Sequence, residues 1–316
     1  RIYCHRLKSP DIASRSRALP GHREAPRQSR SPRHLRYRRA HRTTATHAPR
    51  TRTENDMTTA HDIRSKMQRG EATIGTWMQL PSTDVAEILG RAGYDWVAVD
   101  LEHAAFTRAM LPDLFRAIEL GGTAPFARVA EATLTDIKAA LDSGAHGIIF
   151  PMIETREQLD AAIGWALYPR TDGPSGIRGV GYCRGNLFGR EFDAYRNTTA
   201  RDLVFVAQIE HIRAVENLDA ILAHPRLDAI MVGPYDLSGS MGLTAQFDHP
   251  DFKAALDRIR DKAVAHGVPM GLHIVQPDEA LVRAKVAEGY RFIAYGIDAV
   301  FLYHGAQCPA PTAERK

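Results

Sequence analysis

From Glu71 onward, short apolar runs alternate with amphipathic stretches. The runs are Ala72–Leu80, Trp96–Glu102, Ala124–Val129, Gly147–Ile153, Leu203–Glu210, Ala229–Asp236, Pro269–Ile274 and Phe292–Ile297. Most are nearly continuous and rich in β-branched residues, the pattern of strands buried on both faces of a parallel sheet. Between them lie helical patterns such as STDVAEILGRAG, TLTDIKAALDSGA, TREQLDAAIGWAL and PDFKAALDRIRDKAVAHG. Ser82 opens the first as an N-cap, and several of these stretches stop at glycine, as a helix C-terminus does.

Eight strand–helix alternations over roughly 250 residues predict a (β/α)8 TIM barrel. An open doubly wound sheet is the competing α/β architecture. The number of strands and the lack of a glycine-rich first turn favour the barrel. One stretch breaks the rhythm, YPRTDGPSGIRGVGYCRGNLFGREFDAY, from Tyr168 to Tyr195. Its glycines do not form a dinucleotide fingerprint, because Arg184 stands where the third glycine after Gly179 and Gly181 would be. It reads as a mobile loop between the fourth and fifth strands, on the catalytic face.

Charge divides the chain in two. Residues 1–56 hold 15 Lys/Arg against 4 Asp/Glu, a net +11, and the remaining 260 residues carry −7. The basic pI therefore belongs to the N-terminal segment, which includes SRSPRHLRYRRAHRTTATHAPRTRT, and the body is mildly acidic. Few apolar residues and no period mark 1–56 as a disordered basic segment, and 57–316 as the barrel domain. The segment reads in three ways: a nucleic-acid-binding arm, an organelle transit peptide, or translated upstream sequence preceding a start at Met57. The last is favoured, since no methionine precedes Met57. The three cysteines, Cys4, Cys183 and Cys308, are too scattered for a disulfide framework or a zinc site. No apolar run reaches the ~20 residues of a membrane span, and a cytoplasmic location is the expectation.

In a barrel the catalytic groups stand at the C-terminal ends of the strands. The second strand ends in Asp100, Glu102 and His103, and the third in Arg128. The fifth ends in Gln208 and Glu210, spaced by two and so on one face. The sixth ends in Asp236, after a Gly-Pro turn. Each has a plain structural alternative: a strand-end histidine is more often structural, a lone arginine pairs with a carboxylate, and Asp236 suits a helix N-cap. The convergence of polar residues from four strands on one rim is what points to a site. Glu210 with Asp236 is a two-carboxylate set suited to Mg2+ or Mn2+. None of the seven lysines falls at a strand end, which argues against a Schiff-base aldolase.

The segments VDLEHAAF, FARV, FPMIET, GIRGVG, AQIE and VGPYDLSGSMG occur in the order found in the HpcH/HpaI aldolases. The chain resembles that family over about residues 60–305. The resemblance implies a carbon–carbon lyase that cleaves a 4-hydroxy-2-oxo acid reversibly to pyruvate and an aldehyde, through an enolate held by a divalent ion (Mg2+ or Mn2+, with Co2+ as a third choice). Glu210 and Asp236 match the metal ligands. Arg128 matches the arginine on the ketone and enolate oxygen, and His103 the catalytic base, with Asp100 or Asp142 tuning it. Gln208 matches a residue of the pyruvate site, and Gly233, Pro234 and Tyr235 the turn that receives the pyruvate carboxylate. Asp142 matches a carboxylate that in relatives reaches the histidine across a subunit boundary, which implies a homo-oligomer, dimer-based and up to a hexamer. Arg178 matches a loop arginine near the second substrate.

Two departures stand out. Tyr235 occupies a position where many family members have a small residue, and the chain stops soon after the eighth strand, which puts an exchanged last helix in doubt. Two rival readings are a condensing, citrate-synthase-like enzyme of the same family joining oxaloacetate to acetyl-CoA in a siderophore-type pathway, and a nucleic-acid binder acting through residues 1–56.

Overall fold

The computed structural model describes residues 57–308. The expectations for 1–56 and for a last helix beyond residue 308 lie outside the described residues. Eight parallel strands close into a barrel in chain order: β1 (Thr73–Met78), β2 (Trp96–Asp100), β3 (Ala124–Arg128), β4 (Gly147–Phe150), β5 (Val204–Ile209), β6 (Ala229–Val232), β7 (Met270–Ile274) and β8 (Tyr290–Ile297). β8 closes on β1 through the pairs Thr73↔Phe292 and Ile74↔Ile293. The fold is the TIM barrel that the sequence predicts.

Period-two alternation sorts each strand into two faces. The outward residues, among them Val97, Val99, Ala127, Ile148, Phe205 and Ile230, pack against the surrounding helices. The inward residues Trp77, Trp96, Ala98, Phe126, Ile149, Val206, Met231 and Phe292 form a separate core inside the barrel. Trp96 stacks on Phe292 with ring centroids 4.3 Å apart, and on Phe126 at 5.6 Å. Room for these rings comes from glycine: a Cβ on Gly75 would lie 2.0 Å from the Trp96 ring, and one on Gly147 2.4 Å from Phe126. The helix Ala60–Gln68 closes the N-terminal end of the barrel, adding Ala60, Ile63 and Met67 to the same core. Thr59 starts that helix with a capping box onto Asp62.

The helix signals hold. The Ser82 Oγ accepts from the Val85 N–H, Thr155 and Gln158 form a capping box, and helix Pro250–His266 ends at Gly267 with a φ of 66°. Gly233, not Asp236, is the N-cap of helix Pro234–Ser240, which leaves the Asp236 side chain free of that structural task.

The Tyr168–Tyr195 stretch corrects the sequence reading in two respects. First, helix Arg156–Ala166 intervenes between β4 and this stretch. That helix returns the chain to the N-terminal end of the barrel, so the insertion lies opposite the catalytic rim. Second, it is packed. Arg178 is 1% exposed, with its guanidinium 4.7 Å from the Tyr168 ring centroid and 5.4 Å from that of Tyr195. Asn186 is fully buried and bonds to the backbone of Gly181, Cys183 and Gly189. Arg184 ties the segment to Glu119 and the Ser143 carbonyl. A glycine-rich run looks mobile in sequence, but the buried Arg178 and Asn186 and the half-buried Arg184 staple this one down.

Candidate active site

The inward face changes character near the C-terminal ends of the strands. On β2 it runs Trp96, Ala98, Asp100; on β3, Ala124, Phe126, Arg128; on β5, Val204, Val206, Gln208, and then Glu210. The polar tips open into a cleft of about 210 Å³. His103, Arg128, Gln208, Glu210, Gly233, Pro234, Tyr235 and Asp236 all line it, together with Trp77, Gln79 and His273.

Arg128 is the best-anchored group. Its Nε and Nη2 donate to the two oxygens of Asp100, at 2.9 and 2.6 Å. Its guanidinium lies 4.4 Å over the Trp77 ring, and Nε is 3.3 Å from Glu102. Asp100 is fully buried and also accepts from Gln79 Nε2 and from the backbone N–H groups of Glu102 and His103. Burial alone would raise the Asp100 pKa. The hydrogen bonds and positive charge of Arg128, helped by Gln79, outweigh it and hold the carboxyl below its ordinary value. Asp100 is thereby favoured as the anion that fixes the guanidinium fork.

Glu210 is held from two sides. Its Oε1 accepts from the Met152 N–H at 2.7 Å and its Oε2 from Gln208 Nε2 at 2.8 Å. Met152 adopts a φ of 52° to present that N–H, an unusual conformation of the kind concentrated at functional sites. A Cβ on Gly233 would come 2.5 Å from the Glu210 Oε2, so only glycine lets this carboxylate pass. Burial raises the Glu210 pKa to about 7, and the charges of Glu102 and Asp236 push the same way. Glu102 is raised as well, first by burial and then by Asp100 and Asp236 against the opposing Arg128. Glu210 thus carries its charge against two other carboxylates, Glu102 and Asp236. Two buried oxygens there, Gln208 Oε1 and Glu102 Oε2, have no hydrogen-bond partner.

His103 is largely exposed, and its Nε2 lies 3.7 Å from Glu102 Oε2. Its acidic neighbour is thus Glu102, while Asp100 meets only its backbone. Asp142 and Arg178 are not brought to the cleft. They bond to each other at 2.9 Å, at the far end of the barrel. In a single chain neither one tunes His103 or faces a second substrate.

Sequence reasoning passed over Trp77, Gln79 and His273. The signal was parity: Gln79 follows Trp77 by two, and His273 is a polar residue inside an apolar strand.

Comparison with known proteins places the chain in a family. Residues 73–305 match the family model for HpcH/HpaI aldolase/citrate lyase. The chain belongs to the HpcH/HpaI aldolase/citrate lyase family. It is 35% identical over 245 residues to the hydroxypyruvate/pyruvate aldolase of Roseobacter denitrificans, covering 76% of this chain and 92% of that protein. It is 33% identical over 254 residues to the 5-keto-4-deoxy-D-glucarate aldolase of Escherichia coli O6:H1, covering 80% and 96%. Among solved structures, an HpcH/HpaI aldolase/citrate lyase family protein from Burkholderia cenocepacia superposes with a TM-score of 0.73 at 32% identity, covering 78% of this chain and 96% of that one. As a member of this family the protein is a carbon–carbon lyase, an aldolase of 4-hydroxy-2-oxo acids. Among the described residues no helix is long and apolar enough to cross a membrane.

Proposed function

We propose that this cleft carries out reversible, divalent-cation-dependent cleavage of a 4-hydroxy-2-oxo acid to pyruvate, or a close 2-oxo acid, and an aldehyde. The observation that carries the reading is the opposition of the anchored Arg128, across one small cleft, to a Glu210 whose charge is set against Glu102 and Asp236. A cation fits this donor set. Glu210 and Asp236 offer hard oxygen ligands, and Glu210 is disfavoured as an anion until a positive charge joins it. No group of three or more His, Cys, Asp or Glu able to hold a metal occurs among the described residues. A Mg2+ or Mn2+ site of two carboxylates completed by water and substrate oxygens suits that arrangement. Bound there, a divalent cation would supply Lewis-acid stabilisation of enolate charge.

The chain's own residues do the rest. Arg128, locked by Asp100 and Trp77, points a charged donor at the developing oxyanion without having to reorganise. Such a preorganised donor is worth roughly 3–4 kcal/mol in the transition state. His103 moves the proton of the C4 hydroxyl, with Glu102 beside it; general acid–base help of this kind gives about 10²–10⁴-fold. The turn at Gly233, Pro234 and Tyr235 receives the substrate carboxylate; Pro234 has no N–H and the Gly233 N–H is bonded to the Ile209 carbonyl, so the donors are the N–H groups of Tyr235 and Asp236 at the helix start. Trp77 and the barrel core below exclude water from the inner end.

The test is pyruvate release by the chelator-stripped protein from a panel of 4-hydroxy-2-oxo acids, with Mg2+, Mn2+ or Co2+ restored. Metal-restored release that disappears in Glu210→Ala supports the reading. Thiol release from acetyl-CoA with oxaloacetate, with no aldol cleaved, would replace it with the condensing alternative.

A further inference from the structure

His273 lies on β7 at the inner end of the cleft. Its ring is held on two sides. Nε2 is 3.2 Å from the Gly296 carbonyl oxygen, and the ring packs edge-on against Trp77 at 5.9 Å. A carbonyl oxygen only accepts, so Nε2 must carry the hydrogen. Burial lowers the imidazole pKa to about 4, opposed in part by the Gly296 bond and reinforced by the charge of Arg128. The ring is therefore neutral at working pH, and Nδ1 presents a lone pair. Among the described residues no protein group donates to Nδ1, and the residue borders the cleft.

An acceptor on this floor needs a donor from the substrate. Trp77 supports both the His273 ring and the Arg128 guanidinium, so the two groups share one floor. Arg128 is assigned to the C2 oxygen and the turn at Gly233–Tyr235 to the C1 carboxylate, so of the two carbons bonded to C2 only C3 is left to place a substituent beside Trp77 and His273. The aldehyde portion extends the other way, toward the open mouth bordered by the exposed Tyr235 and His103. Pyruvate has only a methyl group at C3 and offers no donor. A 2-oxo acid with a C3 hydroxyl does.

We propose that His273 is a specificity-determining residue whose Nδ1 accepts a hydrogen bond from a C3 hydroxyl of the 2-oxo acid, so that the enzyme prefers a hydroxylated donor such as hydroxypyruvate over pyruvate. The inference rests on the aldolase reading of the cleft.

The experiment compares three donors with one acceptor, glycolaldehyde, using the full chain with Mg2+ or Mn2+ supplied. The donors are hydroxypyruvate, pyruvate and 2-oxobutanoate, which replaces the hydroxyl with a methyl of similar size. Wild-type kcat/KM for hydroxypyruvate is expected to exceed that for 2-oxobutanoate at least tenfold, the usual scale for one hydrogen bond in a site built for it. His273→Leu should bring the hydroxypyruvate to 2-oxobutanoate ratio of kcat/KM to about one, whatever its effect on overall turnover, while His273→Gln, which keeps an acceptor, should retain part of the preference. Equal loss for all donors in His273→Leu, or a wild type indifferent to the hydroxyl, overturns the assignment. A wild type that uses none of the donors removes the aldolase reading itself, and this inference with it.

Discussion

The two ends of the barrel interior are built from the same strands and the same inward parity, yet they do opposite work. At the N-terminal end Trp96, Phe126 and Phe292 stack above a helical plug, and glycines at 75 and 147 make room for them. Further along the same strands, four residues after Trp96 and two after Phe126, the positions become Asp100 and Arg128, and along β5 and just past its end they become Gln208 and Glu210. The lower end gains stability from buried apolar area. The upper end holds like charges close together at a cost, which the lower end offsets. Catalytic rims can be frustrated because the chemistry uses that frustration.

This division yields separable predictions. Glu210→Ala should lower cation-dependent turnover by about 10³-fold or more while far-ultraviolet circular dichroism stays native, since a ligand is lost but no core. Phe126→Ala should do the reverse, with a stability loss of about 3–5 kcal/mol by denaturant titration, because the packed interior collapses poorly around a missing ring. Asp100→Asn joins the two ends: Arg128 keeps its place on Trp77 but loses its bidentate anion. A roughly 10–100-fold fall in kcat is expected, larger than the change in KM.

The pH dependence is the finer test. The Glu210 carboxyl, with an ordinary value of 4.5, sits at about 7 in the folded chain. The folded state thus binds a proton more tightly than the unfolded chain does. Without a cation, this group's contribution to stability falls as pH rises from 4.5 to 7. Cation affinity runs the opposite way, weakening by up to about tenfold per unit as pH drops below 7, because the proton competes for the ligand. Isothermal titration of Mn2+ at several pH values should show this slope, and Glu210→Gln should abolish it.

Much of this was legible in the sequence, for identifiable reasons. Strand parity and the strand-end rule located Arg128, Gln208, Glu210, Asp236 and His103, and the structure gathers all five into one cleft. What escaped was three-dimensional. The Tyr168–Tyr195 stretch contains nothing that announces an aromatic sandwich around Arg178, since Tyr168 and Tyr195 are far apart along the chain. The helix itself was legible in TREQLDAAIGWAL; the insertion follows it rather than preceding it, and so starts at the N-terminal end of the barrel, not on the catalytic face. Gln79 and His273 were hidden within runs that look uniformly apolar, and Glu102 was noticed only as part of a charged triplet.

The central claim is that the cleft generates an enolate from a 2-oxo acid. Proton exchange at the pyruvate methyl group, followed by NMR in D2O without any aldehyde, isolates that step from acceptor choice. The account predicts cation-dependent deuterium incorporation that Arg128→Ala and Glu210→Ala abolish in folded protein. Exchange that proceeds equally in chelated protein, or survives Glu210→Ala, would contradict it.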